Sequence, residues 1–214
     1  MRWGRRRIAA ERKRIRQFTR RHEKARTDAA VQAPGGPESW TIAGMTVPLR
    51  AVAPSFSASD FRTALGMFAT GVTIVTARAR TGEPVGLTAN SFNSVSLAPP
   101  LVLWSLARSA GSMPAFETGS HYAVHILAAE QHALAERFAK KGIVDRFEGV
   151  TFEEGAGGAP ILAGSAAIFE CFNRSRYEEG DHVIFVGEVE RCSARPGAQP
   201  LIFHGGRYFA ELPL

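Results

Sequence analysis

The chain has 214 residues, 45% of them apolar, which suffices to bury one substantial core and predicts a single domain of roughly 150 residues with an appendage. Its net charge of +6 is unevenly spread: residues 1–26 hold ten Arg and two Lys against Glu11 and Glu23, so this head carries +10 and the remainder −4. The basicity therefore says nothing about the globular part, and no stretch approaches the ~18 consecutive apolar residues of a membrane span.

An Arg-rich head admits a nucleic-acid arm, a membrane-surface helix or a targeting peptide, and each needs a feature beyond charge. Ile8, Ile15 and Phe18 are isolated among charges, which leaves neither an apolar run for a signal nor a wide apolar face. The head is expected to be a solvated, disordered extension; nucleic acid would bind only through this tail, and no membrane partner is expected. Residues 27–56 contain Pro34, Gly35, Gly36, Pro37, Pro48 and Pro54 without sustained periodicity and read as linker. The expected division is thus 1–55, basic extension and linker, and 56–214, the folded domain.

A helix follows, with Ser57 as N-cap, Asp60 in the first turn, Phe61, Ala64, Leu65 and Phe68 on one stripe, and Gly71 as terminator. Strand patterns then dominate. VTIVTA (72–77) turns at Thr81-Gly82-Glu83-Pro84 into VGLTANSF (85–92), a hairpin candidate. LVLWSL (101–106), YAVHIL (122–127), AAIFECFNRSRY (166–177), HVIFVGEVERC (182–192) and a pair around 201–204 and 207–211 continue the series. Within 182–192, Val183, Phe185 and Val189 share one face, and Ile184, Val186, Glu188 and Glu190 share the other. Short helices interrupt near Pro114–Thr118 and over Gln131–Phe138. Six or seven strands with long period-2 members predict a mainly β fold, an antiparallel closed or nearly closed barrel, rather than an alternating βαβ sheet.

Cys171 and Cys192 fall inside predicted strands without metal-ligand spacing, and are expected to be buried, inert thiols of a reduced, cytoplasmic protein. His121 and His125 sit four apart on one strand with no third ligand, so no metal site is expected. Nucleophile-elbow, P-loop and zinc-helix motifs are missing. Gly155-Ala156-Gly157-Gly158 leads into Pro160 without a following helix and reads as a surface loop rather than a dinucleotide turn.

The unusual segment is TANSFNSVSLAPP (88–100), which packs Thr88, Asn90, Ser91, Asn93, Ser94 and Ser96 into nine positions. A half-buried strand this rich in hydroxyls and amides wastes hydrogen-bonding groups unless a ligand meets them, and an ordinary polar strand and turn is the other reading. A flavin would supply ring carbonyls, ring nitrogens, ribityl hydroxyls and phosphate.

FRTALGMFATGVTIVTA, GLTANSFNSVSLAPPLVLWSL, DRFEGV, GDHVIFVGEVE and PLIFHGGRYF occur in unbroken order from about Phe61 to Phe209. Together they closely resemble the flavin reductase domain family, the FMN-binding split-barrel reductases that serve two-component aromatic hydroxylases. The resemblance implies a homodimeric split barrel that binds FMN or FAD, takes hydride from NADH or NADPH, and supplies a separate monooxygenase; a flavin carrier or sensor without turnover is the alternative. It places Thr88, Ala89, Asn90 and Ser91 along the isoalloxazine and ribityl region. Ser96, Ser105, Leu106, Ser109 and Ser112 meet the ribityl and phosphate part, Gly180, Asp181 and His182 lie where nicotinamide stacks, and Tyr208 borders the same pocket. His182 is the candidate catalytic residue, holding the nicotinamide with a possible proton role; capping of its strand is the plainer reading. His125 stands where relatives usually carry Asn, and Ala98 where an acidic residue is common; both bear on substrate preference only.

Overall fold

A computed structural model describes residues 39–42, 45–48, 54–143 and 145–210. The Arg-rich head, with the expectation of disorder attached to it, lies outside these residues. The chain divides into two compact units, Met1–Ser55 and Phe56–Leu214. In the first, β1 (Ser39–Ile42) pairs antiparallel with β2 (Met45–Pro48), so the segment read as linker contains a short two-stranded ladder.

The second unit opens with α1 (Ala58–Gly66), whose start is fixed by a reciprocal cap: Asp60 N–H donates to Ser57 Oγ at 3.1 Å and Ser57 N–H donates to Asp60 Oδ2 at 3.0 Å. The helix ends at Gly66, earlier than Gly71, because Thr70 and Gly71 form β3 and pair with Phe203 and Ile202. No residue of α1 is buried.

The main sheet has seven antiparallel strands in the order β5 (Pro84–Ala89), β4 (Thr73–Arg78), β8 (His121–Ile126), β11 (Ala167–Glu179), β12 (His182–Ala194), β7 (Pro100–Ala107), β6 (Asn93–Leu97). The two 13-residue strands β11 and β12 shift register after Glu170 and again after Asn173, and such bulges increase twist and curl the sheet. Smaller ladders complete the unit: β9 (Phe152–Glu154) with β10 (Pro160–Leu162), and β13 (Leu201–His204) with β14 (Arg207–Ala210) and β3. The Gly155–Gly158 segment is the turn between β9 and β10, with Gly157 and Gly158 at φ 58° and 77°.

Two cores lie on opposite faces of β4. Val75 joins Val102, Trp104, Phe116, Tyr122, Val124 and Phe185 inside the curled sheet. Trp104 stacks on Phe185 with centroids 4.9 Å apart and meets Phe116 edge-on at 4.8 Å, arrangements worth about 0.5–1.5 kcal/mol beyond area burial. Val72 and Ile74 face outward into a second cluster with Leu127, Phe138, Phe147, Leu162 and Leu201, covered by α3 (His132–Ala139). This double burial explains why VTIVTA reads as a continuous apolar run rather than an alternating one.

Val183 and Phe185 are buried as the alternation in β12 requires. Cys171 is buried and its thiol is pushed up to about 12, first by burial and then by the Glu190 and Glu170 charges. Cys192, also expected inside, is exposed, because the C-terminal half of β12 runs beyond the core.

Candidate active site

The curled sheet does not close: β5 and β6 are its two edges, and the end of β5 lies over β7 without a ladder between them. One side chain crosses the gap. Ser91 Oγ accepts from Ser105 N–H at 2.9 Å and donates to Ser105 O at 3.2 Å. Around this bridge lies a cleft in two adjoining halves that share Leu87, Thr88 and Ala107.

The first half, of about 560 Å³, is walled by Ala89 at the end of β5 with Asn90 and Ser91 after it, by Ser105 and Leu106 on β7, and by Glu179 and His182 at the β11–β12 hairpin. The second, of about 500 Å³, is walled by Ser109 and Ser112 ahead of α2 (Met113–Thr118), by Phe138 of α3, and by Lys141 and Arg146. Each is the size of a cofactor pocket. Charge separates them: among the described residues, no Lys or Arg lines the first, and no Asp or Glu lines the second.

Residues on either side of Arg146 tie it to α3 and the outer core. Arg137 on α3 donates through Nη2 to Glu148 O at 2.6 Å, and the Phe147 N–H donates to Asp145 Oδ1 at 2.7 Å. Phe147 then inserts against Phe138 with ring centroids 5.0 Å apart. The DRF triplet thus divides its labour, with Asp145 shaping the turn, Arg146 facing the cleft and Phe147 anchoring the loop in the outer core. Arg146 Nε is buried without a hydrogen-bond partner among the described residues, while its Nη2 donates to Lys140 O at 3.0 Å. A buried guanidinium N–H left unpaired beside a lysine and two free serine hydroxyls is a donor set shaped for an anion.

Nine of the thirteen residues expected at the site line this cleft: Thr88, Ala89, Asn90, Ser91, Ser105, Leu106 and His182 in the first half, Ser109 and Ser112 in the second. Their roles differ from the expectation of a strand of unspent donors. Thr88 Oγ1 donates to Ala135 O on α3 at 2.7 Å, and Ser91 is committed to Ser105, so both position the walls. Leu106 turns its side chain into the barrel core. Asn90, Ser109 and Ser112 keep side chains free among the described residues.

Four expected residues lie elsewhere. Ser96 sits on edge strand β6, where its Oγ accepts from Ala98 N–H at 3.2 Å. Gly180, at φ 60°, and Asp181 form the hairpin tip beside His182 without lining the cleft. Tyr208 packs on His132 and Phe203 at centroid distances of 4.6 and 5.3 Å, in the outer layer over α3. Sequence reasoning missed Lys141, Arg146 and Glu179 as wall residues. Their signals were the basic pair after the α3 pattern, the DRF triplet and the acid just before GDH.

The unit that holds this cleft is similar to known proteins. The flavin reductase like domain matches residues 65–211. An FMN reductase (NADH), SmoA, of Agrobacterium fabrum is 48% identical over 149 residues, which cover 70% of this chain and 83% of that protein. The reductase subunit HsaB of a flavin-dependent monooxygenase from Rhodococcus jostii is 40% identical over 148 residues, 69% of this chain and 75% of that one. The solved NADH:FAD oxidoreductase SgcE6 of Streptomyces globisporus, in complex with NAD and FAD fragments, superposes with a TM-score of 0.69 at 40% identity, covering 75% of this chain and 98% of that one. The matched stretch, residues 65–211, contains every described residue that walls the cleft, and the chain belongs to the flavin reductase like domain family.

Proposed function

We propose that this protein is an NADH-dependent flavin reductase that hands reduced FMN or FAD to a separate monooxygenase. The observation that carries the reading is the charge-divided cleft. Its cationic half, with Lys141, Arg146, Ser109 and Ser112, suits a flavin phosphate, and its neutral-to-acidic half, with Asn90 and His182, suits two stacked rings. When bound, the flavin supplies the redox chemistry by taking hydride at N5 from the nicotinamide C4.

The chain's own work is binding and orientation. Lys141 and Arg146 hold the phosphate by charge-assisted hydrogen bonds, and Ser109 and Ser112 add hydroxyl donors. Asn90 is the free amide at the ring end of the cleft. Thr88 and Ser91, locked to α3 and β7, keep the walls at fixed separation, so that a ring between them is held in one orientation. His182 stands on the opposite wall and holds the nicotinamide.

The protein is a homodimer in this reading. Phe61, Leu65 and Phe68 of the α1 region and Leu97 of edge strand β6 are exposed, Phe68 by 75% and Leu97 by 95%, which is the surface composition of an interface. Residues 56–214 constitute the reductase domain, residues 1–55 are dispensable for turnover, and the setting is cytoplasmic, which suits free cysteines at 171 and 192. The deciding experiment is NADH oxidation by the purified protein with and without added FMN or FAD. Consumption rises with flavin if the reading holds; unchanged consumption with flavin bound makes the protein a carrier.

A further inference from the structure

Asp181 lines neither half of the cleft and its side chain is 93% exposed, yet its Oδ1 lies 2.7 Å from Nδ1 of His182, whose ring is 46% exposed and walls the first half. The hairpin tip that carries the pair is pinned, because Arg108 N–H donates to Asp181 O at 2.9 Å. The charged groups around the imidazole are few. Glu179 pairs with His182 in register across the turn, Ala107 is its neutral partner on β7, and the Arg108 guanidinium is spent on Glu178 at 2.9 Å. The Asp181 carboxyl is held below its usual range, first by the hydrogen bond from His182.

An ionised carboxylate only accepts, so the hydrogen of this bond sits on Nδ1. In the neutral ring, Nε2 is then a bare lone pair, and among the described residues it makes no hydrogen bond. We propose that Asp181 is a positioning residue that fixes His182 in the Nδ1–H tautomer, so that Nε2 faces the cleft as an acceptor for an amide N–H, the carboxamide of a reduced nicotinamide. This rests on the reading of the first half as the nicotinamide site. It makes the Asp181–His182 pair a specificity device: pyridine donors that carry an N–H at the 3-substituent are favoured, and those that carry only a carbonyl are not.

The test compares wild type with D181A, D181N and H182A in the full chain. The imidazole ¹⁵N signals of His182 are read by NMR, and KM is measured for NADH and for reduced 3-acetylpyridine adenine dinucleotide, which lacks the amide N–H. Wild type is expected to show a protonated Nδ1 and to favour NADH by about tenfold in kcat/KM, the scale of one hydrogen bond. D181A is expected to lose the single tautomer and most of that preference through KM, with flavin affinity unmoved. D181N, whose amide can donate to Nδ1 as well as accept from it, is expected to lose the single tautomer and the preference as D181A does. A His182 ring that stays Nδ1–H in D181A, or a preference that survives there, overturns the proposal. If H182A itself leaves KM for NADH unchanged, the nicotinamide reading of the cleft fails instead.

Discussion

Lys141 and Arg146 face the cleft from one short loop, and each has a consequence separable from the fold. Replacing Lys141 by Ala would remove the charge-assisted contact to phosphate proposed above, worth about 1.5–3 kcal/mol, so FMN affinity should fall roughly tenfold or more while affinity for riboflavin, which lacks the phosphate, stays. Fluorescence titration with both ligands checks this, and an equal loss for riboflavin defeats the phosphate assignment. His125 acts on stability. Fully buried on β8, it has Nδ1 3.0 Å from Ile74 O and accepts the Leu162 N–H at Nε2 at 3.1 Å, so the neutral ring ties β8 and β4 to β10. Burial drives its pKa down to about 4 from an ordinary 6.5, against smaller opposing effects of the Ile74 bond and the Glu170 charge. The unfolded chain therefore takes up the proton first: stability is full above about pH 6.5, declines as pH falls towards 4, and loses about 3 kcal/mol in all. Urea unfolding from pH 7 to 4 should show that decline in wild type and a much shallower one in His125→Asn.

Among the elements, β5 and α3 are closely coupled, because β5 passes close beneath the helix. A Cβ at Gly86 would lie 2.7 Å from Phe138 Cε1 and 3.2 Å from Phe147 Cζ, so both rings would have to move. Gly86→Ala should cost about 1–3 kcal/mol and, since Phe138 walls the cationic half, weaken flavin binding as well. Thermal unfolding and the flavin dissociation constant measure the two effects. Legibility in the sequence follows the same physics. The cap of α1 was readable from Ser57 and Asp60, and β4, β7, β8, β11 and β12 from runs long enough to show period or continuous burial. Strands β6, β9 and β10 went unread, since three to five residues at an edge carry no period and their pairing is decided by neighbours distant in sequence. The polar run at 88–96 pointed to the right wall for a partly wrong reason. Thr88 and Ser91 spend their hydroxyls on Ala135 and Ser105, partners no local pattern reveals.

At the scale of the whole molecule, the surface of the 56–214 unit is incomplete. Phe61, Leu65 and Phe68 make the helical stripe expected of a core helix, yet all three are exposed among the described residues, and in the proposed dimer a second copy of the chain covers them. Phe68→Glu or Leu97→Glu should shift the protein from dimer to monomer in sedimentation, and native molecules that sediment as monomers would refute the dimer. Deleting residues 1–55 removes the +10 head and should leave flavin-dependent NADH oxidation within about twofold of the full chain, because among the described residues every wall of the cleft belongs to the second unit.

Trp104 gives the same unit an optical readout. The chain's other tryptophans, Trp3 and Trp40, precede residue 56, so a 56–214 protein emits from a single indole, shielded from water and stacked on Phe185. It points inward from β7 while its neighbour Ser105 walls the cleft, one residue away along the strand. A flavin there absorbs where indole emits, so filling the cleft should darken Trp104 by energy transfer, and the emptying of the cleft into a partner oxygenase should be visible as its light returning.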